Sequence, residues 1–370
     1  MKVVHVVRQF FPSIGGMENV VMNLASRNKE YFGVSADVIT LNRVFSSGHI
    51  CLPEREMVNE IHIKRIPYFG SNRYPIAPKI ISMLSNYDLI HVHGVDFFYD
   101  FLPLVNFVLR KKIVASTHGG FFHTDKYKLI KDLYFSTMTR FSSNGYHAVV
   151  ATSHSDGEIF TKVCGKKLHV IENGVDIEKY KGVSKATGKK IIYFGRWSSN
   201  KKIEDSIYLI KLLNELDGEG EPWEIIIAGR PYDFGADELK KNATKFGVID
   251  RCRFIESPTE EELRGLIEES RYYVCHSAHE GFGLAPIEAM SAGLIPLLSD
   301  IPPFARLVEN TGFGILCNGQ ISEQAKSIIK NHEKIKDVFA LKNEISNSVV
   351  NYSWNGASEK YFKLYESIFN

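Results

Sequence analysis

Two carboxylates eight residues apart, Glu280 and Glu288, frame the segment of this chain richest in chemistry: His276-Ser277-Ala278-His279-Glu280-Gly281-Phe282-Gly283-Leu284-Ala285-Pro286-Ile287-Glu288. The segment follows an apolar run that reads as a buried strand and leads into a helical pattern, and ligands of open α/β sheets bind at such strand ends. Gly281 and Gly283 leave the backbone bare for close approach. The first free N–H groups of the helix, near Gly283 and Leu284, can hold anionic oxygens. Glu280 lies on the loop and Glu288 one to two turns into the helix, so each can accept from hydroxyls at a different point along a ligand. That combination suits an anion joined to a sugar. The plainer reading has Glu280 capping the helix and Glu288 on a solvated face.

Other clusters say less by themselves. In Tyr87-Asp88-Leu89-Ile90-His91-Val92-His93-Gly94 the alternation of a strand puts His91 and His93 on one face. Two imidazoles serve a metal only with a third ligand, and the sequence indicates none nearby; the same holds for His276 and His279. His118 closes another predicted strand and is followed by Gly119-Gly120, which makes it harder to set aside than a lone histidine. No G-x-G-x-x-G occurs, which argues against a dinucleotide oxidoreductase, and no G-x-S-x-G or Walker sequence is present. Paired glutamates also admit a glycosidase, but a loop and a helix between them do not fix the carboxyl separation on which that chemistry turns.

The elements that must hold these residues alternate. Predicted strands at 2–7, 36–41, 61–66, 89–93, 112–117 and 148–152 form one series, and 190–194, 224–228, 252–255, 272–276, 294–298 and 314–317 a second, with helical patterns between them. This is the mark of βα units wound into parallel sheets, one sheet per half. The composition shifts only near 165–185, where a linker is expected. Ser257-Pro258-Thr259-Glu260 reads as a helix start with Ser257 as the cap and Pro258 in the first turn. At 370 residues, 44% hydrophobic and 24% charged, the chain has the size of two to three globular domains. A net charge of +2 is too balanced for a nucleic-acid partner. Five scattered cysteines without a C-x-x-C fit neither a disulfide framework nor a zinc ribbon, and a reducing cytoplasm is expected. The N-terminus lacks the apolar length of a signal, and the longest apolar stretch, 97–109, is too short to span a bilayer.

With these residues in place, the chain resembles the retaining glycosyltransferases of family four, whose hallmark E-x7-E matches Glu280 and Glu288. The resemblance extends over nearly the whole chain. Gly195-Arg196-Trp197-Ser198-Ser199-Asn200-Lys201 is similar to the family's G-R-x4-K, Pro12-Ser13-Ile14-Gly15-Gly16-Met17-Glu18 to its P-x-x-G-G-x-E, Ile171-Glu172-Asn173-Gly174-Val175-Asp176 to its I-P-N-G-V-D, and His118-Gly119 to its His-Gly. The resemblance implies an α/β, GT-B fold of two Rossmann-like doubly wound domains facing a cleft: 1–168 for the acceptor, 169–352 for the nucleotide sugar, and 353–370 as a helix packing back on the first domain. Arg196 and Lys201 would neutralise the donor diphosphate, a task that suits preorganised cations at a strand end. Where the family has Gly after that Lys, this chain has Lys202, so the doublet leaves open which lysine serves, and a solvated surface pair is the plain alternative. Gly15, Gly16, Phe282, Gly283, Leu284 and Glu288 complete the implied donor site, with His118 and Glu280 at the reacting sugar. Asn173-Gly174 reads as a turn.

The run 117–124 more narrowly resembles α-mannosyltransferases of exopolysaccharide assembly, which use GDP-mannose and a polyprenyl-diphosphate-linked acceptor; it puts His123 and Thr124 near that acceptor. No cofactor or metal is expected, since the sequence has no D-x-D to hold an ion on the diphosphate. Basic and apolar residues intermixed at 107–112 and 126–131 suit the anionic cytoplasmic face of the inner membrane. A UDP-sugar-dependent transferase, a nucleotide-sugar 2-epimerase and a non-catalytic donor-binding partner are the alternatives.

Overall fold

Runs such as Ile191-Ile192-Tyr193-Phe194 and Ile225-Ile226-Ile227-Ala228 leave no polar side to show to solvent, so the sheets they build must be covered by helices on both faces. The computed structural model of the protein describes all residues except 14, 46–50, 73, 120–127, 186 and 219. It contains two compact units: Met1–Gly174 with Trp354–Asn370, and Val175–Ser353. The first unit ends at Gly174 rather than at 168 because Leu168–Val170 still pairs with Ala148–Ala151 as the last strand of its sheet.

In the first unit the elements run β1 (Lys2–Val7), α1 (Gly16–Phe32), β2 (Ser35–Leu41), β3 (Arg55–Val58), β4 (Ile61–Ile66), the small hairpin β5 and β6 (Phe69–Ser71, Tyr74–Ile76), β7 (Leu89–His93), α2 (Phe97–Leu109), β8 (Lys112–Ser116), α3 (Lys128–Tyr134), α4 (Arg140–Asn144), β9 (Ala148–Ala151), α5 (His154–Cys164) and β10 (Leu168–Val170). The sheet order is β10-β9-β8-β7-β1-β2-β4-β3, parallel except for β3 at the edge. The direction of winding reverses between β1 and β7. The second unit runs β11 (Lys190–Phe194), α6 (Ile203–Leu216), β12 (Glu224–Gly229), α7 (Ala236–Lys245), β13 (Cys252–Glu256), α8 (Glu260–Glu268), β14 (Tyr272–Cys275), α9 (Leu284–Ser291), β15 (Ile295–Ser299), α10 (Pro302–Thr311), β16 (Ile315–Cys317), α11 (Ile321–Lys334) and α12 (Val338–Ser348). Its all-parallel order, β13-β12-β11-β14-β15-β16, is the doubly wound pattern with its switch point between β11 and β14.

Helix α13 (Trp354–Phe369) belongs to the first unit. It buries Trp354, Tyr361, Leu364 and Tyr365 against Val3, Leu89 and Val114 of the sheet, and Phe362 stacks on Phe32 of α1 with ring centres 4.4 Å apart. Each such side chain contributes about 2 kcal/mol of apolar burial. Gly174 serves this docking and not a left-handed turn, because a Cβ there would lie 2.4 Å from the Trp354 Cα. The start of α8 also differs from expectation. Thr259, not Ser257, is the cap: its side chain accepts from the Glu262 N–H while Glu262 accepts from the Thr259 N–H, a reciprocal box that Ser257 could not form. Ser257 instead takes a φ of +52° and donates its N–H to the Gly229 carbonyl at 2.7 Å, turning the chain before the helix. Among the described residues, no helix is long and apolar enough to cross a membrane, and the five cysteines are free.

Candidate active site

The residues singled out in the second half of the sequence converge where its sheet reverses, beyond the C-terminal ends of β11 and β14. After β11 the chain can turn because β12 ends on Gly229, where a Cβ would lie 1.8 Å from the Gly195 carbonyl. Trp197 then donates its N–H to the Arg230 carbonyl at 2.8 Å, and the Tyr193 hydroxyl donates to the Arg196 carbonyl at 2.8 Å. This leaves the Arg196 side chain exposed, with its guanidinium 5.1 Å from the Tyr232 ring centre. A single 3₁₀ turn, Ser199–Lys201, follows, pinned by Asp233, which accepts from the Ser199 N–H at 2.8 Å.

The loops after β11 and β14 are cross-linked. Ala278 donates its N–H to the Asn200 carbonyl at 2.9 Å, and the Asn200 amide donates to the His279 carbonyl at 2.7 Å. Across this brace the Lys201 ammonium meets the Glu280 carboxylate in a short ion pair, and Ser277 Oγ donates to the same Glu280 oxygen at 2.7 Å. Both partners are largely shielded, at 19% and 16% exposure, so neither charge would be left there alone without a large desolvation cost. Lys202 turns the other way: its φ of +49° explains a preference for glycine at this position, and its Nζ lies 3.9 Å from Glu204 at the surface. The doublet is thus separated by geometry, with Lys201 beside Glu280.

Helix α9 starts at the same place. Gly283 caps it with φ +92°, and a Cβ there would meet the buried Phe304 ring at 2.7 Å. Leu284 opens the helix, exposed, and Glu288 follows one turn later, half-buried. Burial raises the Glu288 carboxyl above its ordinary range against the pull of Lys179. Phe282 packs toward Tyr352, ring centres 6.2 Å apart. His276 is a structural residue: its Nδ1 lies 2.9 Å from Ser206 Oγ and its Nε2 2.7 Å from Gln324 Oε1, so both ring nitrogens are engaged within the core.

In the first unit the corresponding reversal lies between β1 and β7. Gly15 caps α1 and Gly16 is its first residue. A Cβ on Gly15 would strike the Glu18 carboxylate at 2.5 Å, whereas one on Gly16 would meet nothing within 4 Å. His118 follows β8 with φ +51°. Its turn is clamped from α5 by Asp156, which accepts from Thr117 Oγ1 and from the Gly119 N–H. His123 and Thr124 lie outside the described residues.

Sequence reasoning missed His5. Register pairs it with His91 on the neighbouring strand, which places His5, His91 and His93 on one face with ring nitrogens within 4.8 Å of one another. A third imidazole therefore does stand beside the two weighed from sequence. The signal was available in the alternation of the first strand, but only the register of β1 against β7 makes it a cluster. Among the described residues every nitrogen of the cluster except His5 Nε2 has a hydrogen-bonding neighbour: His5 Nδ1 lies 2.9 Å from His93 Nε2, His93 Nδ1 2.9 Å from His118 Nε2, and His91 lies 2.7 Å from the Tyr365 hydroxyl and 2.8 Å from Ser116 Oγ. Asp96 was also missed. It caps α2 at the β7 end, and burial pushes its carboxyl up to about 6 against the opposing pull of Arg8.

Residues 175–345 match the model of glycosyl transferases group 1, and residues 14–179 that of glycosyltransferase family 4. A GDP-mannose:cellobiosyl-diphosphopolyprenol alpha-mannosyltransferase of Xanthomonas campestris is 42% identical over 99% of this chain and 97% of its own. One from Xanthomonas oryzae is 46% identical over 88% of this chain and 85% of its own. Among solved structures, a glycosyltransferase from Rickettsia africae superposes with a TM-score of 0.71 at 17% identity, covering 100% of this chain and 98% of that one. The shared fold is GT-B.

Proposed function

The chain belongs to the family 4, group 1 glycosyltransferases, and from that membership we propose that it transfers mannose from GDP-mannose, with retention, to a hydroxyl of a polyprenyl-diphosphate-linked saccharide. The observation that carries this reading is identity of 42% to a transferase of that donor and acceptor over 99% of the chain. The geometry of the second unit supports it. Arg196, Lys201 and the first N–H groups of α9, near Gly283 and Leu284, converge on the reversal point, where they would hold the diphosphate and stabilise the charge it gathers as the glycosidic bond breaks. Glu288, one turn further, suits ribose hydroxyls, and Phe282 and Glu280 the sugar. Lys201 is neutralised by Glu280 in the free protein. An arriving diphosphate would draw off that ammonium and release the carboxylate to accept from sugar hydroxyls, so donor binding itself would complete the site. In this reading Gly15, Gly16 and His118 of the first unit take part in holding the donor and His123 and Thr124 in holding the acceptor, and no step calls for a metal.

The test is turnover of GDP-mannose with a cellobiosyl-diphosphoprenol analogue, with and without EDTA, followed by NMR of the product anomer. An α-mannoside formed in EDTA supports the reading. A β-product, or turnover of UDP-glucose and not of GDP-mannose, overturns it; donor converted to a new sugar without acceptor would establish the epimerase instead.

A specific surface favours contact with the membrane that carries such an acceptor. Phe107 and Val108 of α2, Leu129 and Leu133 of α3 and Phe141 of α4 are 62–88% exposed, beside the exposed Arg110 and Arg140. Apolar side chains bordered by cations suit an anionic lipid surface. Vesicles containing anionic lipid should retain the protein at low salt and release it at high salt; no retention at low salt refutes this contact.

A further inference from the structure

Beneath α13, on the sheet face it covers, lies a row of hydrogen-bonded imidazoles that ends at the strand tip: His5 Nδ1 is 2.9 Å from His93 Nε2, and His93 Nδ1 is 2.9 Å from His118 Nε2. A second branch, from Tyr365 through His91 and Ser116 to the Tyr361 hydroxyl, fills the space beside it, with the His91 and His93 rings 4.0 Å apart. Resting on the reading that puts His118 at the donor sugar, we propose that His93, seated by His5, is a positioning residue that fixes the tautomer of His118, so that His118 meets its ligand as a hydrogen-bond donor through Nδ1 and not as a base.

Burial holds His5 and His118 down to about 4 and His91 and His93 well below the ordinary histidine value, so all are neutral near pH 7. A neutral imidazole has one donor and one acceptor, so the two hydrogen bonds of the row must run in the same direction. Only two arrangements remain. If the protons point toward His5, its Nε2 carries an N–H; that atom is sealed in the core without a partner among the described residues, and a buried orphan N–H is the costlier fault. If they point toward His118, His5 Nε2 bears only an unused lone pair. His5 then donates to His93 and His93 donates to His118 Nε2, which leaves the His118 proton on Nδ1, a nitrogen with no hydrogen bond among the described residues. Because the far end is closed, no proton enters at His5, and the row holds a proton in place without relaying one. Asp156 fixes the backbone of the same turn through Thr117 and Gly119, so ring and chain are set from opposite sides. The ligand atom that this geometry selects is an oxygen lone pair, such as that of a sugar hydroxyl.

Long-range ¹H–¹⁵N NMR of the full chain labelled at histidine nitrogen reads the tautomers directly, whether or not the protein turns over a donor. The expected spectrum shows His118 protonated at Nδ1 and bare at Nε2. His93→Leu should release it toward the Nε2–H form and lower kcat roughly tenfold, the worth of one well-placed hydrogen bond, with little change in KM. His93→Asn, whose side-chain N–H can stand where the Nδ1–H stood, should restore both. An Nε2–H tautomer for His118 in the unaltered protein overturns the proposal, as does a His93→Leu variant with the His118 signals unmoved. Stoichiometric metal in the purified protein, coordinated by His5, His91 and His93, would overturn it too. Loss of all activity with the expected spectrum would count against the assigned reaction and leave the tautomer assignment standing.

Discussion

The two glycines of the Glu280 loop look interchangeable in sequence, and the structure predicts opposite outcomes for substituting them. At Gly283 the backbone has φ +92°, a conformation that costs a residue with a Cβ about 1–2 kcal/mol. The new methyl would also lie 2.7 Å from a carbon of Phe304, a ring with no exposed surface and nowhere to retreat, which adds about 1–3 kcal/mol of overpacking. Gly283→Ala should therefore destabilise the second unit by about 2–5 kcal/mol and lower its melting temperature by roughly 10 °C, since a domain of this size loses about 3 °C per kcal/mol. Gly281 is exposed, has no left-handed φ, and a Cβ there would meet nothing within 4 Å. Gly281→Ala should leave the melting temperature unchanged or slightly raised, by up to about 1 kcal/mol, through a less flexible unfolded chain. Differential scanning calorimetry of both variants, with GDP titrated by isothermal calorimetry, makes the comparison. If Gly281→Ala melts as low as Gly283→Ala, or if Gly283→Ala melts with the unaltered protein, the packing argument is wrong. A stable Gly281→Ala that has lost GDP affinity would show that this glycine keeps the backbone clear for ligand.

Three further outcomes follow from the geometry. Lys201→Ala should weaken GDP binding by about 10–100-fold, the worth of a charge-assisted hydrogen bond, while Lys202→Gly should bind GDP as before and gain about 1 kcal/mol by relieving a left-handed lysine; equal losses of affinity in the two variants would contradict the separation of the doublet. Acid should loosen the first unit: His5 is wholly buried and titrates near 4 instead of 6.5, so the unfolded chain takes up its proton first as the pH falls, and stability present above 6.5 drops by about 2 kcal/mol at pH 5 for this residue alone. Hydrogen exchange of the β1 amides, corrected for intrinsic rates, should show that loss, and constant protection from pH 7.5 to 5 would refute it. Gly174→Ala should cost about 3 kcal/mol or more, because the Cβ would press on the backbone of Trp354, and should speed exchange throughout α13; unchanged exchange there would mean that the helix does not lean on this glycine.

Local pattern made much of this protein legible. The central strands of the second sheet, β11, β12, β14 and β15, are apolar on both sides but for an end residue, and such strands can be read without knowing their neighbours. The first unit was less complete: β3 and β10, at the edges of its sheet, and the separate β5–β6 hairpin are three- or four-residue strands whose character comes from pairing and not from composition. Thr259 displaced Ser257 as the cap of α8 because both residues suit the role locally and only the preceding turn, tied to Gly229, decides between them. Arg196, Lys201 and Glu280 were visible as residues that follow strands, and Glu288 as one in the helix that comes next, since strand ends are where open α/β sheets place their ligands.

The sequence by itself determined the fold class, the family and the short list of candidate site residues, because each depends on residue type at short spacing. Only the tertiary structure decided what those residues touch. It placed Lys201, and not Lys202, beside Glu280, gave Gly283 a packing duty that Gly281 lacks, and put His5 in a row with two histidines 88 and 113 residues away. The physical reason is that hydrogen bonds and contacts of this kind are set by strand order and register. Those are properties of the assembled sheet, and no stretch of chain carries them alone.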